Sequence, residues 1–226
     1  MEYGKERLVE LLLTMDEEAT LLLGTDGRRF PVVIVGGSAF LLHDLTNRPT
    51  THDVDVLSCH AALRGVLANY AAVNQAVAAY ADQIPYNFEG RLLRLDLPTE
   101  TIDFLTPSVE DLAVMKLYGW RPNDQQDLES PALLDAIDWE KLDRLVFDPD
   151  EAMASALSPR RYRKMASIYE DYARRHGHAP NAEGVPRRIL PRTIGARHHK
   201  SEEACRDRER KRASRRATLR TRCRAG

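Results

Sequence analysis

The chain predicts an α+β domain with helical additions at both ends. Three observations carry this reading. Residues 30–57 form a strand, glycine turn, helix, loop and strand in that order. Two further strand-like runs lie at 91–97 and 101–105. Helical periodicity precedes the first unit and follows the second.

A first helix is expected over residues 6–18, where Leu8, Leu11, Leu12 and Met15 share a face. The apolar run Phe30-Pro31-Val32-Val33-Ile34-Val35 reads as a strand and leads into Gly36-Gly37-Ser38. Residues 39–43 continue as a short helix, and Asp53-Val54-Asp55 opens a second apolar run ending at Leu57. Residues 61–81 are alanine-rich, with Leu63, Val66, Leu67, Tyr70, Val73 and Val77 at helical spacing. The runs 91–97 and 101–105 flank Pro98-Thr99 and suggest a hairpin. Ser108 followed by Asp111 resembles a capping box and starts the next helix. Shorter helices are expected at 124–129, 131–137 and 139–146. Ser158-Pro159 opens a last helix with Tyr162, Met165, Tyr169 and Tyr172 on one stripe, and Gly177 ends it.

Composition narrows the class. The 226 residues suffice for one substantial domain or two small ones, and an apolar fraction of 43% is ordinary for a globular protein. No apolar stretch approaches membrane-spanning length, and the N-terminus lacks a basic region followed by an apolar block. Cys59, Cys205 and Cys223 have neither metal-site nor disulfide-framework spacing. No membrane partner and a cytoplasmic setting are the expectations. The formal net charge of -1 hides an asymmetry. From residue 181 onward there are 15 Lys/Arg against 5 Asp/Glu, a formal +10 set against -11 for the rest. A domain over residues 1–178 and a basic, disordered tail over 179–226 are therefore expected. The tail's arginines suit nucleic-acid phosphates or a solvated extension.

The chemistry concentrates in the 30–57 unit. Gly36 and Gly37 let the backbone approach a phosphate closely, and the helix that begins with Ser38 points N–H groups at the anion. Asp53 and Asp55, spaced by two on a strand, share a face and repel each other unless a cation sits between them. Mg²⁺ takes a few carboxylates plus substrate phosphates. A phosphate cradle and a carboxylate pair in one short unit point to chemistry on a nucleoside triphosphate. Asp103, between Ile102 and Phe104, joins the same site if its strand lies beside that of Asp53 and Asp55; Asp96 is its competitor. Arg48 and Thr51 sit in the connecting loop, where the arginine either holds a triphosphate or is a surface charge. Lys116 shares the apolar stripe of Leu112 and Trp120, so it should face a charged cleft. Arg121, Asp124 and Asp127 either orient the acceptor or the lysine, or form a surface ion-pair cluster. His43 reads as a satisfied structural histidine, and His52 should face away from Asp53.

Gly36-Gly37-Ser38-Ala39 followed by Arg48-x-x-Thr51-x-Asp53-Val54-Asp55 resembles the signature of the polymerase-beta-like nucleotidyltransferase superfamily. The closer resemblance is to bacterial minimal nucleotidyltransferases of the AbiEii toxin type and to related small proteins of unassigned role. Ile102-Asp103-Phe104 matches their later strand aspartate. Lys116-Leu117-Tyr118 and Asp124-Gln125-Gln126-Asp127 are similar to their lysine helix and downstream acids. The resemblance spans roughly residues 30–129; where related enzymes often carry an arginine after the glycine-serine element, this chain has Ala39-Phe40-Leu41.

The resemblance implies a small mixed β-sheet flanked by helices, and transfer of a nucleoside monophosphate to a hydroxyl with release of pyrophosphate. It implies two Mg²⁺ ions, with Mn²⁺ as a substitute, held by Asp53, Asp55 and Asp103. Asp103 would also help deprotonate the acceptor hydroxyl. Gly36, Gly37, Ser38, Arg48, Thr51 and Lys116 would bind the triphosphate. The acceptor would be an RNA or tRNA end or a protein, and the chain would be the toxin of a pair with an antitoxin protein. Two other readings compete: a nucleotide-binding or interaction protein of this fold without turnover, favoured by a missing third carboxylate, and a nucleotidyltransferase acting on a small molecule such as an antibiotic.

Overall fold

Four consecutive buried residues, Val32 to Val35, make β1 (Phe30–Val35) the centre of the sheet. In the computed structural model, which describes residues 2–24, 27–148, 151–152 and 159–180, β1 pairs antiparallel with β2 (Val54–Cys59) on one side. On its other side it pairs parallel with β5 (Ile102–Thr106). The two-residue strands β3 (Val73–Asn74) and β4 (Leu93–Arg94) complete the mixed sheet, in the order β3-β2-β1-β5-β4. The fold is α+β, with helices flanking this sheet. The described residues belong to one compact unit, Met1–Arg187. All but the first two residues of the expected tail, 181–226, lie outside the described residues.

Helix α1 (Lys5–Leu23) runs longer than the periodicity alone predicts, and it stops where Gly24 takes φ 82°. Its buried stripe is Leu8, Leu12, Met15 and Ala19. Asp16 lies in the same stripe, and its carboxylate accepts N–H groups of Glu100, Thr101 and Ile102 at 2.6 to 2.9 Å. Those bonds satisfy a buried charge and fix where β5 begins. Helix α2 (Gly36–Leu42) follows β1 without a loop, because Gly36 turns the chain at φ 69°.

The long helix expected over 61–81 does not form. A 3-10 turn (Ala61–Leu63) and α3 (Arg64–Ala68) use the first part of the apolar spacing, and Leu63, Val66 and Leu67 are buried as that spacing requires. The chain then extends as β3, where the open edge of β2 captures it: Val54 N–H donates to the Ala72 carbonyl at 2.8 Å. Tertiary pairing overrides a weak helical preference here. A 3-10 segment (Ala76–Gln83) follows. The hairpin of β4 and β5 is present but short, since a 3-10 turn (Phe88–Arg91) takes the residues before Leu93.

Helix α4 (Val109–Gly119) starts at the Ser108 cap, whose hydroxyl accepts Asp111 N–H at 3.3 Å. Trp120, at φ 49°, ends it in the left-handed region. Helices α5 (Pro122–Leu128), α6 (Pro131–Ala136), α7 (Trp139–Phe147) and α8 (Pro159–Arg175) follow. The tyrosine stripe of α8 faces inward. Tyr162 and Tyr172 donate hydroxyls to the carbonyls of Val146 and Leu128 at 3.0 and 2.8 Å, so α8 braces α5 and α7 from behind the site.

Candidate active site

The turn from β1 into α2, the start of β2, strand β3 and the α4–α5 corner enclose a cleft of about 300 Å³. Gly36, Gly37, Arg48, Thr51, Asp53, Asp55 and Lys116 line it together. These residues are separated by up to eighty positions of sequence, and the strand register brings them to one place. Asp55 is the β2 partner of Val35, the last residue of β1, so it lies directly beside the glycine turn.

The glycines are required by that contact. A Cβ at Gly36 would lie 2.2 Å from Asp55 Oδ2, and the φ of 69° is itself unfavourable for other residues. A Cβ at Gly37 would meet Arg48 Nη2 at 2.9 Å and Thr51 Oγ1 at 3.0 Å. Thr51 is held from outside by a two-way backbone bridge to Tyr3, at 2.7 and 2.9 Å.

Two acidic centres of different character stand at the cleft: Asp53 and Asp55 line it, and Asp127 lies behind Arg48 and Lys116. Asp127 is fully buried and accepts Thr46 Oγ1 at 2.6 Å, Arg48 Nε at 2.7 Å and Arg48 Nη2 at 2.9 Å, with Lys116 Nζ at 2.7 Å. Burial alone would push its carboxyl up, but the Arg48 and Lys116 charges and their hydrogen bonds hold it below the usual carboxylate range. Lys116 also bonds Asp124 Oδ1 at 3.0 Å and lies 5.1 Å from the centre of the Phe40 ring. Asp124 in turn accepts Arg121 N–H at 3.0 Å. Lys116 therefore does face a charged cleft, and the acids after α4 orient the lysine in the interior rather than forming a surface cluster.

Asp53 and Asp55 contrast with this. Asp53 has no hydrogen bond or ion pair from its carboxylate to any described residue. Among the described residues Asp55 accepts only Asn74 Nδ2, at 2.9 Å. Burial, and after it the Asp53 charge, raises the Asp55 carboxyl above its ordinary value, against the Asn74 hydrogen bond and the charges of Lys116 and Arg121.

Asp103 requires a correction: it does not join Asp53 and Asp55. On β1, Asp103 is level with Pro31 whereas Asp55 is level with Val35, a separation of four residues or about 13 Å along the strand. Asp103 pairs instead with Arg29 at 2.6 Å and Arg94 at 3.1 Å. Ser38 also lies outside the cleft lining. Its hydroxyl is fully buried and donates to the Val35 carbonyl at 3.0 Å, because α2 begins so soon after β1 that position 38 turns back on the strand. Arg48 lines the cleft and gives Nε and Nη2 to Asp127. His52 lines the cleft too, contrary to the expected alternation, because β2 begins only at Val54. His43 bonds Thr106 Oγ1 at 2.6 Å and is structural. Asn74 carries no sequence signal beyond being an asparagine in a run with helical spacing.

The donor set suits a hard divalent cation. Two half-buried carboxylates open onto a cleft whose glycine turn leaves room beside them, and Mg²⁺ completes such a shell with phosphate oxygens and water. Among the described residues no three His, Cys, Asp or Glu side chains form a metal-holding group. No helix among the described residues is long and apolar enough to cross a membrane.

No curated protein and no solved structure matches the chain. A family model described as a nucleotidyltransferase of unknown function (DUF6036) matches residues 10–176, a span that includes every residue of the cleft, and the chain belongs to that family.

Proposed function

We propose that the cleft transfers a nucleoside monophosphate from a nucleoside triphosphate to a hydroxyl acceptor, with Mg²⁺ held by Asp53 and Asp55. The observation that supports this most is the pairing of two uncompensated carboxylates with a glycine turn whose Cβ positions are excluded by the site itself. Bound there, the divalent cation would neutralise phosphate charge and stabilise the oxygens of the displacement. The chain's own residues do the positioning. Gly36 and Gly37 admit the phosphates close to the backbone at the start of α2. Lys116 keeps one of its three ammonium donors for the triphosphate while Asp124 and Asp127 hold the other two. Arg48 fixes Asp127, and through it the lysine. The acceptor oxygen attacks the α-phosphorus, the bond to the bridging oxygen breaks, pyrophosphate leaves and the hydroxyl proton passes to water.

The resemblance to AbiEii-type enzymes supports an RNA or tRNA end, or a protein, as the acceptor, and a toxin role opposed by an antitoxin protein. Incubating the protein with each labelled nucleoside triphosphate, Mg²⁺ and total cell RNA and protein should label one acceptor. Among the described residues no third carboxylate joins Asp53 and Asp55, and this favours a second reading, a nucleotide-binding protein without turnover. Nucleotide binding with no labelled product under any of these conditions would establish that reading instead.

A further inference from the structure

Strand β3 has two residues, and the second of them decides what stands beside Asp55. Asn74 is its direct partner across the β2–β3 ladder, and Nδ2 donates to Asp55 Oδ1 at 2.9 Å. The amide oxygen of Asn74 accepts Ala76 N–H at 3.1 Å, so both ends of the amide are fixed. One Asp55 oxygen is tied to Asn74, and the other faces the place a Gly36 Cβ would fill. The side chain next to the carboxylate pair is thus a neutral amide, while Asp103 lies at another level of the sheet with its own arginines.

We propose that Asn74 is a positioning residue of the metal site and the reason that the site binds its cation together with nucleotide. It fixes the Asp55 carboxylate. By adding no charge, it leaves the site with two carboxylates where a third would hold the ion unaided. The triphosphate oxygens supply the missing negative charge, so cation and nucleotide bind cooperatively. This rests on the proposed reading of Asp53 and Asp55 as metal ligands.

The test is Mn²⁺ titration of the full chain, reading free Mn²⁺ by electron paramagnetic resonance, alone and with a non-hydrolysable analogue of each of the four common nucleoside triphosphates in turn, each set against a protein-free titration of the same analogue, whose phosphates bind Mn²⁺ themselves. The wild type should bind Mn²⁺ weakly alone and roughly tenfold or more tightly with one analogue. Asn74→Asp should raise the nucleotide-free affinity by about tenfold and shrink the effect of the analogue. Asn74→Ala should lower the affinity measured with the analogue by roughly tenfold, as loss of a residue that orients a ligand does, without a change in melting temperature. Tight Mn²⁺ binding by the wild type without nucleotide overturns the inference. So does an Asn74→Ala protein that binds as the wild type does, whether or not Asn74→Asp folds. A wild type that binds no Mn²⁺ in either condition rejects Asp53 and Asp55 as ligands, and the inference falls with them; the two failures are thereby distinguishable.

Discussion

Asp53 and Asp55 line the cleft, Asp127 lies behind its Arg48 and Lys116, and the protein treats the two oppositely. Asp127 receives a hydroxyl, a bidentate guanidinium and an ammonium, and burial is complete. Asp53 and Asp55 receive one side-chain amide between them among the described residues. A buried carboxylate without partners is costly, so the first arrangement is what stability demands. The second leaves repulsion in place, and burial and mutual charge raise Asp55 accordingly. Charge that the fold compensates is architecture; charge that it leaves for something else to compensate marks where a ligand belongs.

The largest effect expected is on activity. Asp53→Asn or Asp55→Asn should reduce nucleotidyl transfer by about a thousandfold or more, because each removes a metal-binding charge worth several kcal/mol in the transition state. The metal-free proteins should be at least as stable as the wild type. A carboxyl whose value is raised by folding costs stability above that value, and an amide removes the cost. Melting curves without metal beside transfer assays would check both halves. Retained transfer in both variants would remove the pair from the site.

Asp127→Asn should instead lose about 3–5 kcal/mol of stability, because it leaves Arg48 without its carboxylate and Lys116 with Asp124 alone. Chemical denaturation measures it directly. A variant as stable as the wild type would mean that the buried network is not what braces α4 and α5 against the loop of Arg48. Lys116→Met should cost less, about 2–3 kcal/mol, since Arg48 and Thr46 still satisfy Asp127 and the Arg121 N–H still reaches Asp124. It should also weaken binding of a non-hydrolysable triphosphate. Loss of apo stability with unchanged nucleotide affinity would leave Lys116 a purely structural residue.

How much of this was legible follows from the range of each interaction. The glycine turn and the Asp-x-Asp are local, and they are where residue spacing places them. The apolar stripe around Lys116 announced a charged cleft because a buried ammonium needs partners. The sequence carries no comparable signal for register. Asp103 and Asp55 both sit on strands beside β1, and only the parallel pairing of Phe30 with Ile102 puts Asp103 at the wrong level. Asn74 was hidden because alanine-rich spacing outweighed a two-residue strand that exists only through the edge of β2. Arg48 reads as a free cation until the fold delivers Asp127 from 79 residues away.

The compensated centre also has a pH signature. Folding lowers the Asp127 carboxyl, so its contribution is fully present above the ordinary value near 3.8 and is lost as pH falls through the lower folded value. The stability gap between wild type and Asp127→Asn should therefore be constant at neutral pH and narrow below about pH 4. Denaturant titrations at a series of pH values would show it, and a gap that widens in acid would contradict the sign.

The smallest effect expected is the one that separates Asp103 from the site. Asp103 is about a quarter exposed, as is its partner Arg29, and Arg94 is more exposed still. Partly solvated pairs of this kind contribute about 0.2–1 kcal/mol, so Asp103→Asn should lower stability by no more than that. The loss is bounded further because the Arg29 guanidinium keeps its bonds to the Thr99 carbonyl and hydroxyl, each at 2.7 Å. Transfer activity and Mn²⁺ affinity should stay within about twofold of wild type, since some 13 Å of strand separates this carboxylate from Asp55. Measured beside Asp55→Asn, the variant decides between two maps of the sheet. A loss of transfer as deep as that of Asp55→Asn, with stability intact, would mean that β5 slides along β1 to bring Asp103 level with the glycine turn when nucleotide binds.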